Sequence, residues 1–375
     1  MDLMQISGQF SVSGDCLEVK PFGNGHINDT YAVTCVSEGG VRRYILQKLN
    51  SRVFPHPTAL MNNFAAVTAY LRPIIKKEGG DPDRECLKVI PTVQGAAYYV
   101  DGEGEVWRMT QLIENTDAYL VAESSAMFED AGRAFGLFIK RLEGFDAASL
   151  IEVIPDFHNT VKRYENLEKA VAADKAGRAS GVKDLIDFAR ARKDKTGVIV
   201  SALKEGSIPL RVTHNDTKLN NVLIDTATQK AICVIDLDTV MPGSLLYDFG
   251  DAIRVGCSTA EEDEKDLSKV NFDREKFVAF TRGFMRGLGD NLTVNEEKLL
   301  PTGAILMTFE CGMRFLTDYL EGDVYFKTAY PEHNLVRCRT QFKLVEEMEK
   351  SLDFMQKTVD DIYFDILKEK KQKEA

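Results

Sequence analysis

Asp216, Lys218, Asn221, Asp236 and Asp238 fall close together in one stretch of this chain. The stretch reads Val212-Thr213-His214-Asn215-Asp216-Thr217-Lys218-Leu219-Asn220-Asn221-Val222-Leu223-Ile224-Asp225, then Ala231-Ile232-Cys233-Val234-Ile235-Asp236-Leu237-Asp238. It is an apolar lead-in, a polar loop, a short strand, a turn, and a second strand that ends on acids. Those residue types in that order suit phosphoryl transfer to an alcohol. A carboxylate within hydrogen-bond reach orients the hydroxyl and takes its proton, contributing roughly 10²–10⁴-fold in rate; that role goes to Asp216, whose bland alternative is a turn or cap residue. Asn221 and Asp236 offer hard oxygen ligands, suited to magnesium that bridges nucleotide phosphates. Along an extended chain Asp238 points to the same side as Asp236, as a further metal or substrate ligand. Lys218 stands ready to neutralise charge on the transferring group, or is simply an exposed lysine. His214 is read as a brace for the loop.

The order His-x-Asp-x-x-x-x-Asn resembles the catalytic loop of the protein-kinase fold. Asp236 lies 20 residues past Asp216, about where such a fold carries its second metal-binding Asp. A literal Asp248-Phe249-Gly250 comes 32 residues past Asp216, beyond the hairpin and its acids. It is read as a decoy for metal, its buried carboxylate accepting hydrogen bonds from the catalytic-loop backbone instead.

The elements that must position these residues start with a β-meander over 17–49. Gly23-Asn24-Gly25 sits in its first turn, where backbone amides approach phosphate oxygens without a Cβ in the way; an ordinary hairpin turn reads the same. On the third strand Gln47 stands where kinases place the phosphate-binding Lys, and alternation points Lys48 the other way. A helix follows over 57–78, with Leu60, Phe64, Val67 and Leu71 at helical spacing. Two strands are expected near Leu87–Pro91 and Ala96–Val100. Val106–Glu114 is then a hinge strand whose backbone at Leu112 and Ile113 reads an adenine edge, or else an edge strand with one Trp in the core. Ser124 and Ser125 cap an amphipathic helix to about 143. Helices are expected over 160–205, with a loop at 177–181, and again from 273 to about 368, before a frayed, charged end. Mixed strands in the first third and helices after it make an α+β chain. Its expected division is a nucleotide-binding lobe over 1–114 and a catalytic and acceptor-binding lobe over 115–375.

Composition narrows the function classes. The 375 residues are long enough for two cores, 44% apolar and 28% charged, with no low-complexity block. A formal charge of −11 argues against a nucleic-acid or anionic-membrane partner. The seven Cys are scattered without CxxC, which reads as a reduced, cytoplasmic protein without zinc, Cys233 and Cys311 being core. No export signal and no membrane span is expected.

With these residues in view, the chain resembles the aminoglycoside phosphotransferase and choline kinase superfamily, and within it the N-acetylhexosamine 1-kinases. The matching stretches are PFGNGHINDTY, RYILQKLN, GSIPLRVTHNDTKLNNVLID, VIDLDTVMPGSLLYDFGDAIR, ECGMRFLTDYLEGDVYF and YPEHNLVRCRTQFKLVEEME. The resemblance implies a two-lobed protein-kinase-like fold with a small antiparallel-sheet N-lobe and a larger, mostly helical C-lobe. It implies ATP- and Mg²⁺-dependent phosphorylation of the anomeric hydroxyl of N-acetylglucosamine and N-acetylgalactosamine; the chain is expected to be a monomer. Asp216 would be the base, with Asn221 and Asp236 on metal and His26, Thr239, Arg314 and Tyr325 toward the sugar. Arg314 is a charge inside an apolar helical run and needs partners. Sugar hydroxyls supply them in one reading, Asp318 or Glu310 in the other; Tyr325 stacks, hydrogen-bonds or is core. The alternatives in function are a kinase of another small alcohol (choline, homoserine, an aminoglycoside) and a non-catalytic kinase-like binding protein.

Overall fold

The computed structural model describes residues 2–23 and 27–374. The chain forms two compact units: Met1–Ala118, Gly144–Pro155 and Asn221–Pro242 in the first, Tyr119–Glu143, Asp156–Asn220 and Gly243–Ala375 in the second. The class is α+β as expected, with an antiparallel sheet in the N-terminal region and a larger helical C-terminal part.

In the first unit, β1 (Asp15–Pro21), β2 (Asp29–Ser37), β3 (Gly40–Lys48), β4 (Tyr99–Val100) and β5 (Val106–Gln111) make one antiparallel sheet in the order β1-β2-β3-β5-β4. The meander is therefore as read. Cross-strand neighbours share a face, and Thr30, Gln47 and Arg108 lie in one row across β2, β3 and β5. Val33, Cys35, Leu46 and Met109 bury an apolar core with Phe10 and Trp107. β5 is an inner strand, so the edge-strand alternative does not hold. The segments at 87–91 and 96–100 yield less strand than expected. Val89 makes one isolated bridge to Thr110, and only Tyr99–Val100 pairs with β5. Pro91 has no N–H to donate, and Gly95 turns the chain at φ +87°. The helix Pro57–Lys77 buries Leu60, Phe64, Val67 and Leu71 as the spacing predicts. A smaller antiparallel sheet of Thr116–Asp117, Val222–Asp225 and Ala231–Val234 completes the unit.

In the second unit, the helix Ser125–Arg141 starts at Ser124, whose hydroxyl accepts the Met127 N–H at 3.2 Å. It packs backbone to backbone on the helix Arg274–Leu288 through small residues. A Cβ on Gly283 would stand 1.8 Å from the Glu129 carbonyl, and one on Gly136 2.1 Å from the Phe284 carbonyl. Larger residues there would force the helices apart. Phe249, Phe277, Phe280 and Phe284 fill the core beside this seam. The strand Arg211–Thr213 is anchored by a buried, bidentate Arg211–Glu296 pair at 2.7 and 2.9 Å. Among the described residues one helix, Val294–Glu321, is long and apolar enough to cross a membrane by length and composition alone, and 78% of its apolar window is buried within the protein, as in a core helix. The terminal helix Leu352–Glu374 also runs past the expected limit, and Lys370 pairs with Asp290 at 2.9 Å.

Candidate functional site

The second unit holds the loop with the candidate base. After the strand Arg211–Thr213 the chain turns through Asn215 at φ +65°, a left-handed conformation that Asn tolerates better than most residues. The turn is pinned by Asp248: its Oδ2 accepts the His214 N–H at 2.8 Å and its Oδ1 the Asn215 N–H at 2.7 Å. The Thr217 hydroxyl donates to the Asp248 backbone carbonyl. This is the structural role the sequence assigns to the late Asp-Phe-Gly. Burial pushes the Asp248 carboxyl up to about 6, against the pull of His214 and of the two amide bonds. His214 is fully buried, edge-on to Phe135 and Phe138, with its Nδ1 accepting the Asp216 N–H at 3.3 Å, which fits a brace. Lys218 Nζ lies 2.7 Å from Asp216 Oδ1. Burial works to lower the Lys218 ammonium, but Asp216 and then Asp251 outweigh it and its pKa is raised.

A buried relay supports the same loop. His158 places Nδ1 3.0 Å from Glu310 and Nε2 3.4 Å from the Asn215 carbonyl. Glu310 also accepts the Thr160 hydroxyl at 2.6 Å. Burial acts to raise the Glu310 carboxyl, yet His158 and Thr160 hold it below its usual range.

One helical turn beyond Glu310, Arg314 lines a cavity of about 370 Å³ together with Arg163, Lys169, Tyr325 and Phe326. Arg314 lies over the rings of Phe157, Phe326 and Tyr325, at 5.6, 5.4 and 5.9 Å. Asp318 is spent otherwise, accepting the N–H groups of Val324, Tyr325 and Phe326 and the Asn334 amide. Among the described residues neither Arg314 nor Arg163 forms an ion pair within 4.0 Å, so the internal-salt-bridge alternative for Arg314 is not the arrangement found. Arg163 donates to the Phe157 carbonyl at 2.8 Å, and burial and then Arg314 lower its pKa. Tyr325 is 66% exposed and so is not core.

The first unit holds the other candidates. The hairpin of Val222–Asp225 and Ala231–Val234 sets Val222 opposite Val234. The Asn221 carbonyl accepts the Ile235 N–H at 2.9 Å, which seats Asn221 beside the backbone leading into Asp236. Asn221 is buried and Asp236 exposed, at φ +61°. Among the described residues no three His, Cys, Asp or Glu side chains gather as a closed metal site. An amide oxygen and one carboxylate fit magnesium, which keeps waters and takes remaining ligands from phosphates.

Asp238 departs from the extended-chain expectation. The chain turns left-handed at Asp236 and enters a 3₁₀ turn, Leu237–Thr239, so the two acids do not point alike. Asp238 is buried, paired with Arg108, and accepts the Asn28 amide at 2.6 Å. Thr239 is half-buried at the end of that turn. Gln47 lies in the row already described, its Oε1 accepting Arg108 Nε at 2.9 Å and its Nε2 donating to Thr30 Oγ1 at 3.0 Å. Lys48 points away, toward Glu105 at 3.4 Å. Gly23 has φ +74°, and among the described residues nothing lies within 4 Å of where its Cβ would be; Asn24, Gly25 and His26 lie outside the described residues. After β5, the Leu112 N–H goes to the Arg43 carbonyl at 3.1 Å and the Ile113 carbonyl accepts the Thr116 hydroxyl at 2.9 Å.

Sequence reasoning missed Arg108, His158 and Arg163. Arg108 carried a signal, a charge among Val106, Trp107 and Met109 in an apolar strand. His158 and Arg163 carried none, because only tertiary proximity gives them their places.

Residues 18–284 match the Phosphotransferase enzyme family. Among solved structures, an aminoglycoside phosphotransferase from Alicyclobacillus acidocaldarius is similar at 12% identity and a TM-score of 0.63, over 96% of this chain and 97% of that one. A choline kinase from Cryptosporidium parvum is similar at 14% identity and a TM-score of 0.53, over 92% and 93% of the two chains. A Plasmodium vivax ethanolamine kinase gives 16% identity and a TM-score of 0.51, over 85% and 80%. At these identities the structural likeness shows the fold.

Proposed function

The chain belongs to the phosphotransferase enzyme family, and from that premise we propose that it transfers the terminal phosphoryl group of ATP to the anomeric hydroxyl of an N-acetylhexosamine, giving a sugar 1-phosphate. In this reading Asp216 takes the proton of the acceptor hydroxyl as that oxygen bonds the γ-phosphorus and the bond to the bridging oxygen breaks, releasing ADP. Lys218, at 2.7 Å, holds the Asp216 carboxylate and brings positive charge to the reacting group. Asn221 and Asp236 would hold magnesium, which when bound neutralises charge on the phosphate oxygens. Asp238 serves as the counter-ion of Arg108. Gly23, Asn24 and Gly25, Gln47, and the backbone at Leu112 and Ile113 would take the nucleotide.

The observation that carries the acceptor assignment is the cavity of Arg163, Lys169, Arg314 and Tyr325. Guanidinium groups without ion-pair partners donate only, so they suit an acceptor rich in hydroxyl and carbonyl oxygens. A cationic acceptor such as choline or ethanolamine, which relatives of this fold are named for, would meet three like charges there, against the carboxylates of Asp318 and Glu321. Thr239 and His26 are proposed as sugar contacts on the family resemblance alone.

The test is Asp216→Ala. Turnover is expected to fall by about 10²–10⁴-fold while nucleotide binding and the unfolding temperature are kept. Turnover like that of the unaltered protein would end the assignment.

A further inference from the structure

We propose that Arg108 is the positioning residue of the nucleotide-phosphate contact, standing in for the acidic partner that a strand lysine would need. The inference rests on the nucleotide reading above and concerns one network within the first unit. Gln47 occupies the strand position where a phosphate-binding lysine is expected. Directly across from it on β5 stands Arg108, buried to 2% exposure. The guanidinium lies 4.6 Å over the Phe64 ring, gives Nε–H to Gln47 Oε1 at 2.9 Å, and pairs with the equally buried Asp238.

The orientation of the Gln47 amide follows from chemistry alone. A guanidinium has no acceptor, so the Gln47 atom facing Arg108 must be the oxygen. The amide nitrogen is thereby turned to the Thr30 side, where one N–H is given to Thr30 Oγ1 at 3.0 Å. Among the described residues its second N–H meets no acceptor. Thr30 pairs with Gln47 at the start of β2, seven residues after Gly23 in the sequence. Arg108 thus makes a neutral glutamine a fixed donor on the Thr30 side, where the nucleotide reading places a phosphate oxygen. Through Asp238 the same guanidinium ties this donor to the 3₁₀ turn that follows Asp236.

Two substitutions separate this arrangement from a plain structural role. Gln47→Lys restores the residue usual in the fold, yet sets an ammonium against the buried Arg108 with no acid between them. Gln47→Glu gives Arg108 a charge-assisted partner, but removes the N–H donors and puts a negative charge beside the phosphates. Equilibrium binding of Mg-ATP, Michaelis constants for nucleotide and acceptor, and unfolding temperature are measured for both, with Arg108→Lys as the conservative variant.

Gln47→Glu is expected to unfold at or above the temperature of the unaltered protein while binding Mg-ATP at least tenfold more weakly. Gln47→Lys is expected to weaken Mg-ATP binding at least tenfold despite its added positive charge. In both, the acceptor Michaelis constant stays within twofold, and Arg108→Lys falls between these variants and the unaltered protein. Tight nucleotide binding by either Gln47 variant, with the unaltered protein also binding, overturns the inference alone. An unaltered protein that binds no Mg-ATP overturns the nucleotide reading and the inference with it.

Discussion

Asp248 holds Asn215 by its backbone: the carboxylate Oδ1 accepts the Asn215 N–H at 2.7 Å, one residue before the candidate base Asp216. Its other oxygen takes the His214 N–H at 2.8 Å. Two buried donors thus converge on one carboxylate, and the left-handed turn at Asn215 is fixed from below. The amide in Asp248→Asn has one acceptor where two are needed, and an unmet buried donor costs about 1–3 kcal/mol. We expect kcat to fall by roughly 10–100-fold through loss of loop geometry, with a lowered unfolding temperature. Unchanged kcat would show that the loop does not depend on this contact.

The same residue sets a pH dependence. Its folded-state pKa, about 6, is raised above the usual carboxylate value. A raised pKa means the folded state binds the proton more tightly, so this group's contribution to stability is full below the ordinary Asp value and is lost as pH rises through about 6. Activity should move the opposite way, because a proton on the carboxyl removes one of the two acceptors. Turnover falling below about pH 6, while the stability difference between the unaltered protein and Asp248→Asn grows, is the expected pair of results. It is read from pH profiles of kcat and of unfolding temperature.

A second buried carboxyl acts on stability alone. Burial, and then a hydrogen bond with Asp360, raise Glu297 to about 7. Its contribution is present below the usual Glu value and fades as pH rises through about 7. Glu297→Gln should therefore unfold at nearly the same temperature at pH 8 and pH 6, apart from other groups, where the unaltered protein gains on acidification. Parallel curves for the two proteins would refute this.

Acceptor recognition is tested by Arg314→Ala and Arg163→Ala. Each removes a guanidinium from the cavity, and hydrogen bonds from a charged donor contribute about 1.5–3 kcal/mol. The acceptor Michaelis constant should rise about tenfold or more, with that for nucleotide unchanged. A rise in the nucleotide constant instead would move both arginines out of the acceptor site.

Metal dependence is expected if Asn221 and Asp236 hold magnesium as proposed. Chelation should abolish turnover, and added Mg²⁺ should restore it. Asn221→Ala should raise the Mg²⁺ concentration for half-maximal turnover by at least about tenfold. Full activity in excess chelator would remove the metal assignment.

Local pattern made the sheet and helices legible, because alternation and helical spacing mark which faces are buried: Val33 and Leu46 on strands, Phe64 and Phe135 on helices. The placing of Asp248 beneath the candidate catalytic loop was also legible, since its spacing puts it past the hairpin acids. Asp238 was misread because strand geometry was carried past Asp236, where a left-handed residue breaks it. The Gly136 and Gly283 seam, the His158 relay and the Arg163 side of the cavity depend on residues far apart in the chain. No spacing rule reports such pairs.

The most direct measurement of the central claim is ADP release from Mg-ATP against N-acetylglucosamine, N-acetylgalactosamine, glucose, galactose, choline and homoserine. Turnover led by the two acetamido sugars, with phosphate found on C1, is the predicted result. Turnover led by choline or homoserine would contradict the acceptor assignment and return Arg163, Arg314 and Tyr325 to a structural role.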